Sequence, residues 1–371
     1  MRSILIAILT LSQPLVAEDF AKIYRAKPKQ ALTLYSTADG KKIRARTESL
    51  QLSSDGAKLL VGESSKDLGS IALWNLSDKT QIWTQNPSPK GTIEVRFLNS
   101  EKWAASLGRE GIVTVFDGTD GKSIRSITLN NDSARARHGL ATLRSQTLLA
   151  MTTLLSNPIC RVLELQPTDA ELLDQTDFEI PGDRSPHALA LSPDGTRIAA
   201  SANRTIRISQ RQNPEKFIDL TNMGGEAISL AMSDTLLASG HDIHDKRIRL
   251  WNPESGELLK TVGEYTAGVS ALELSKDGRF LFAAGSQQTY NLNRWTPVDI
   301  WDTTTGEIIQ SVKIPSLGDP RISMTVTSLA LNADGTRLAV GIFDAGDGFS
   351  HGDNPPDITP SVVIFDFPTQ P

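Results

Sequence analysis

The sequence predicts an all-β chain of seven four-stranded antiparallel sheets packed radially, that is, a seven-bladed β-propeller. Three observations carry that reading. A string of apolar strand, Asp-Gly turn and second apolar strand recurs as LQLSSDGAKLLVG from Leu50, LALSPDGTRIAAS from Leu189, LELSKDGRFLFAA from Leu272 and LALNADGTRLAVG from Leu329. The turn markers Asp55, Glu101, Ser145, Asp194, Ser233, Asp277 and Asp334 stand 39 to 57 residues apart, the size of one supersecondary unit. Between them no stretch has the 3.6-residue apolar period of an amphipathic helix.

Each element follows from local chemistry. Asp-Gly closes a tight hairpin because Gly accepts positive φ at little cost and Asp bonds its own backbone. Weaker copies of the first two strands begin at Ile93, Ala141 and Ala227. Third strands read IALWNL from Ile71, IVTVFDG from Ile112, CRVLELQ from Cys160, TIRISQR from Thr205, IRLWNP from Ile248, VDIWDT from Val298 and VVIFDF from Val362. A polar turn and a fourth strand follow at Thr119, Glu254 and Thr304. The units span about 49–76, 93–128, 140–175, 187–220, 226–262, 268–312 and 326–367. One such sheet alone would expose an apolar face, which stacking on its neighbours buries.

These residues resemble the WD40-repeat family over about Leu50 to Phe367, with Trp-Asp or Trp-Asn at Trp301-Asp302, Trp251-Asn252 and Trp74-Asn75, and Phe-Asp at Phe116-Asp117 and Phe365-Asp366. The resemblance implies a protein-interaction platform without catalytic residues of its own. It is a divergent likeness. Gly240-His241 follows a second strand instead of opening a repeat, and the third and fourth repeats lack the Trp-Asp position. The family's hydrogen-bonded Asp-His-Ser-Trp network is therefore not assumed, and stability is expected to rest on apolar packing. In a family-like ring an N-terminal strand completes the last blade; within 31–46, KKIRAR is the candidate, leaving ALTLYST over.

The first residues read separately. Arg2, the apolar run Ile4 to Leu11 and Leu15-Val16-Ala17 ahead of Glu18-Asp19 form a secretory signal peptide, residues 1–17, cut after Ala17. A single propeller domain, 18–371, remains, and it carries no transmembrane segment. Export to a periplasm or beyond follows. No Cys follows the apolar run to accept a bacterial lipoprotein anchor.

Composition limits the partners. With Lys+Arg 38 against Asp+Glu 43 and no basic run, the chain has no electrostatic footprint for nucleic acid. The single Cys, Cys160, excludes an intrachain disulfide, a CxxC pair and a thiolate metal site, and its flanks place it in a packed strand. A protein partner is expected.

Loops on a rigid scaffold carry binding residues. Three loops between second and third strands are unusually long: Gly240 to Arg247, Gly285 to Pro297 and Asp344 to Pro360. The middle one gathers Tyr290, Asn291, Asn293, Arg294 and Trp295, a composition typical of interaction hot spots, although Tyr290 and Trp295 could instead pack onto their own blade. The last holds Asp344, Asp347, Asp353, Asp357 and His351; it reads as a solvated acidic loop extended by Pro355 and Pro356, with calcium as the alternative. His241 and His244 with Asp242 and Asp245 form the one tight His-carboxylate cluster, read as structural hydrogen bonding or an exposed partner contact and, less readily, as zinc ligands.

Hydrolase, metalloprotease, phosphate-binding and haem-attachment signatures are missing, and His138 and His187 stand isolated. No catalytic residue or cofactor is assigned. The alternative to a binding scaffold is an exported lactonase-like or dehydrogenase-like propeller enzyme, which would need three or more carboxylates or histidines converging on the central channel.

Overall fold

The computed structural model describes residues 24–25, 27–34, 37–38, 41–42, 46–64, 69–128, 139–143, 145–154, 158–182, 186–221, 223–285, 295–315, 324–344 and 362–368. The proposed cleavage segment, 1–17, lies outside them. The described residues form seven four-stranded antiparallel sheets in a seven-bladed propeller, six of them ordered from inner to outer strand along the chain.

Blade 1 comprises Arg46–Leu52, Lys58–Ser64, Gly69–Asn75 and Thr80–Ser88. Blade 2 comprises Thr92–Leu98, Trp103–Gly108, Ile112–Asp117 and Ser123–Thr128; blade 3, Leu140–Thr142, Leu148–Leu154, Pro158–Leu165 and Leu172–Glu179. Blade 4 comprises Pro186–Leu191, Arg197–Ala202, Thr205–Gln210 and Asn213–Leu220; blade 5, Ala227–Met232, Leu237–His241, Ile248–Trp251 and Leu258–Val262. Blade 6 comprises Val269–Leu274, Phe280–Gly285, Trp295–Asp302 and Glu307–Pro315.

Blade 7 takes three strands from the end of the chain, Met324–Leu331, Arg337–Asp344 and Val362–Asp366, and its outer strand, Lys29–Leu34, from the beginning. Gln30 pairs with Phe365 and Thr33 with Val363. The closing strand is thus not KKIRAR. Arg46 already begins the innermost strand of blade 1, and an outer strand needs chain behind it to cross a sheet roughly 14 Å wide at the ordinary strand spacing. Lys41–Lys42 instead pairs with Thr37–Ala38 in a two-residue ladder on that crossing.

The core is divided among the junctions between blades, with one buried apolar cluster at each. Trp251 packs into the cluster shared by blades 4 and 5, Trp301 into that of blades 5 and 6, and Phe116 into that of blades 1 and 2. Each aromatic of the dipeptide therefore fills the junction with the preceding blade. The ladder between third and outer strands shifts register just before Trp74, Phe116, Trp251 and Trp301; in blades 3 and 4, where Leu163 and Ser209 hold the aromatic's place, it shifts two and one residues later, before Leu165 and Gln210. The backbone repeat persists where the side-chain signature is lost.

The Asp-Gly turns form as their chemistry requires. Gly56, Gly195, Gly278 and Gly335 take φ of 69, 72, 73 and 72°, and the carboxylates of Asp55, Asp194, Asp277 and Asp334 each accept the backbone N–H two residues on. Blade 2 has no glycine at this turn, and Asn99, Ser100 and Glu101 adopt φ of 52, 54 and 67°. Neighbours hold that turn: Asn99 N–H donates to Gln146 O, and Glu101 accepts the N–H and hydroxyl of Ser54.

Inner strands are sheet edges whose backbone groups need partners. Side chains of adjacent blades supply them. Gln51 accepts from Phe97 N–H, Ser328 from Leu50 N–H, and the hydroxyls of Thr142, Ser201, Ser229 and Ser270 donate to Phe97, Ala227, Val269 and Val326 carbonyls.

Candidate functional site

Connections between second and third strands emerge at the same end of the ring as those between blades, because successive strands alternate in direction. The three long loops singled out above therefore leave from one end. Tyr290, Asn291, Asn293, Arg294, Asp347, His351, Asp353 and Asp357 lie outside the described residues. Trp295 opens the third strand of blade 6 opposite Pro315, and Asp344 closes the second strand of blade 7 opposite Met324.

The blade 5 loop is described in full. Asp242 N–H donates to Glu226 O in the connection from blade 4, and Tyr265 N–H, in the connection to blade 6, donates to Lys246 O. Between these anchors the N–H groups of Asp245 and Lys246 close onto Asp242 O, and His244 N–H donates to the Asp242 carboxylate. Two glycines let the neighbours come this close. A Cβ on Gly225 would lie 2.1 Å from Asp242 Oδ1, and one on Gly268, at φ +105°, would lie 3.0 Å from His241 O. The loop presents His244 and Ile243 outward, the latter 58% exposed.

Beneath the loop lies a buried polar chain. Trp251 Nε1 donates to Ser239 Oγ at 2.9 Å, and Ser239 Oγ stands 3.0 Å from His241 Nε2. An indole N–H can only donate, so the Ser239 hydrogen is free to go to Nε2, and the imidazole proton sits on Nδ1. Nδ1 faces Gly225 O at 3.4 Å and Asp245 Oδ2 at 3.7 Å, and Asp245 is paired with Arg249. Burial, reinforced by the Arg249 charge, pulls the His241 pKa down to about 4.

His241 is fully buried and acts inside the blade, whereas His244 is exposed; the two do not converge. Among the described residues no group of three or more His, Cys, Asp or Glu side chains is arranged to hold a metal ion. The Ser239-Gly240-His241 order, with Asp245 in the following turn and Trp251 on the next strand, was the signal for the network. The family network thus reappears in blade 5 with its histidine on the second strand.

Blade 6 solves the same problem differently. Trp301 Nε1 donates to the Tyr265 hydroxyl at 3.3 Å, and that hydroxyl is bonded to Asp299, which also accepts the Ser311 hydroxyl at 2.5 Å. Burial raises both the Tyr265 hydroxyl and the Asp299 carboxyl above their ordinary pKa values. In each blade a buried indole N–H finds an acceptor.

The carboxylates on the inner strands are engaged by cations and hydroxyls. Glu94 meets Arg96 at 2.8 Å and the Ser49 hydroxyl at 2.8 Å, and burial pushes its carboxyl above the usual range. Glu48 is held by Arg46 and Arg109 at 2.9 and 2.6 Å. His187, isolated in sequence, meets Glu226 at 2.8 Å. The buried Cys160 is pushed up by desolvation, so it is packed and unreactive.

The profile of the WD domain, G-beta repeat, matches residues 178–208, which run from the outer strand of blade 3 through the third strand of blade 4. The fold is a WD40-type propeller. The chain is also similar to Autophagy-related protein 16 of Arabidopsis thaliana, 26% identical over 125 residues. The match covers 34% of this chain and 21% of that protein. Among the described residues no helix is long and apolar enough to cross a membrane.

Proposed function

We propose that this WD40 propeller is a non-catalytic protein-binding scaffold or accessory subunit of a cell envelope, exported after cleavage behind Ala17, and that its partner docks on the loop-bearing end at blades 5 to 7. One observation carries the reading: Ile243 stands exposed at the tip of a loop whose backbone is bonded to both flanking connections. A preorganised apolar tip loses little freedom when a partner covers it. The WD40 likeness and the relative named above support a general interaction role. The loop of blade 6 that carries Tyr290, Asn293, Arg294 and Trp295 leaves from the same end and supplies the remaining candidate contacts.

The test is site-specific photo-crosslinking in cells from position 243 and, as a control of similar exposure on the outer wall, from position 82. A discrete adduct from 243 that is lost when Gly285 to Pro297 is shortened, or when Trp295→Ala is introduced, is expected. An adduct from 82 alone overturns the assignment of the face. N-terminal sequencing of the mature protein tests export: a chain beginning at Glu18 is expected, and an intact Met1 in the cytoplasm refutes it.

A further inference from the structure

Among the described residues the outer strand of blade 3, Leu172–Glu179, has one hydrogen-bonded neighbour, so its other edge offers N–H and C=O groups for pairing. Outer strands of propellers all share this exposure, and charge normally guards it. In blade 3 the guard has one sign. From Glu164 to Glu179 the chain carries Glu164, Asp169, Glu171, Asp174, Asp177 and Glu179 and no Lys, Arg or His. Each of the other outer strands, with the turn before it, includes a cation: Lys79, Lys122, Lys216, Lys260, Lys313 or Lys29.

Arg161 satisfies Asp177 at 2.7 Å, and Arg125 stands 3.7 Å from Glu171. Among the described residues Glu164, Asp169, Asp174 and Glu179 take part in no ion pair. The same edge exposes Leu172 and Leu173, 44 and 55%. Blade 5 exposes a similar pair, Leu258 and Leu259, 45 and 46%, but next to Lys260; in blade 3 the leucines stand on an edge with acidic residues alone.

Behind the edge lies a groove of about 250 Å³. Asp174 and Thr176 of the outer strand, Val162 and Glu164 of the third, and Pro214 of the next blade line it. Arg211 crosses its far side, with Nε donating to Gly195 O.

We propose that the outer edge of blade 3 docks an extended, basic segment of a partner protein, which adds a fifth strand beside Leu172–Glu179. Alternating side chains of an added strand face opposite sides of the sheet. Its cations would meet Glu164 and Asp174 on the groove side, and its apolar residues would cover Leu172 on the opposite face. Pairing with the same edge of a second copy is excluded, because it sets carboxylates against carboxylates. The surface lies on the outer wall, beside the turn opposite the loop-bearing end, so this proposal and the proposed function stand or fall separately.

The test uses the full chain and a synthetic ten-residue peptide of alternating lysine and valine, with the glutamate-valine peptide as control. Fluorescence anisotropy at low salt is expected to give saturable binding of the lysine peptide alone, weakened roughly tenfold by physiological salt. The Glu164→Lys, Asp174→Lys double variant is expected to abolish it, and Leu172→Asp to weaken it. Hydrogen exchange on the unaltered protein gives a readout independent of the variants' folding: added protection is expected within 172–179. Protection elsewhere, equal binding of both peptides, binding unchanged in the charge-reversed variant, or none at millimolar peptide overturns the proposal.

Discussion

Ser239 and His241, two positions apart on one strand, are joined by a 3.0 Å hydrogen bond that completes the chain from the Trp251 indole toward Asp245. Residues two apart in a strand share a face, which is why Ser-Gly-His can supply both members. Gly240 between them is needed on the other face, where a Cβ would lie 2.3 Å from Ser229 Oγ and 2.7 Å from Val269.

Ser239→Ala removes the acceptor for Trp251 and the donor for His241 together. Two buried polar groups are left without that partner, so a loss of about 2–4 kcal/mol is expected by urea denaturation. Ser239→Thr retains the hydroxyl and should recover most of it.

The depressed His241 pKa makes stability depend on pH with a definite sign. The unfolded imidazole takes a proton near pH 6.5, but the native one resists until about pH 4. The unfolded state therefore binds more protons in that window, and stability falls as pH drops from about 6.5 to about 4. Above pH 6.5 this group contributes no slope. Denaturation midpoints measured across the window should show the fall in the native protein and a smaller one in His241→Asn.

Tyr24 is buried against Phe280, Phe282 and Phe367, with ring centroids 5.0, 5.1 and 5.2 Å away, and its hydroxyl donates to Gly335 O at 3.0 Å. Tyr24→Ala should cost about 3–5 kcal/mol through the cavity it leaves. Tyr24→Phe should cost about 1 kcal/mol for the hydrogen bond alone. Chemical denaturation separates the two.

Ring closure by Lys29–Leu34 is checked by truncation. A chain beginning at Lys41 keeps KKIRAR and loses the strand that pairs with Val362–Asp366. It should lose cooperative unfolding and aggregate through the bared edge, as followed by calorimetry and light scattering. A cooperative monomer would return KKIRAR to the closing role.

The blades were legible because an inner pair of strands is buried on both sides, so Leu189 to Ser201 must alternate and turn in a recognisable way. Outer strands carry a fainter signal. In Thr80–Ser88 only Trp83 and Ser88 are buried, and nothing in TQIWTQNPS demands the pattern. The closing strand was misplaced because the partner that defines it is at the opposite end of the chain, and Tyr24 was missed for the same reason. For His241 and His244 the sequence leaves structural hydrogen bonding and surface exposure both open, because proximity along the chain does not say that one side chain points inward and the other outward.

The pairing of Gln30 with Phe365 also has a consequence in time. A ribosome adding about 5–20 residues per second needs on the order of 15–70 s to make the intervening chain. Throughout that interval six blades can stack, but the seventh cannot be completed, and the strand synthesised first waits unpaired for the last. Premature pairing of Lys29–Leu34 with some other blade's bare edge is the principal kinetic hazard of this topology.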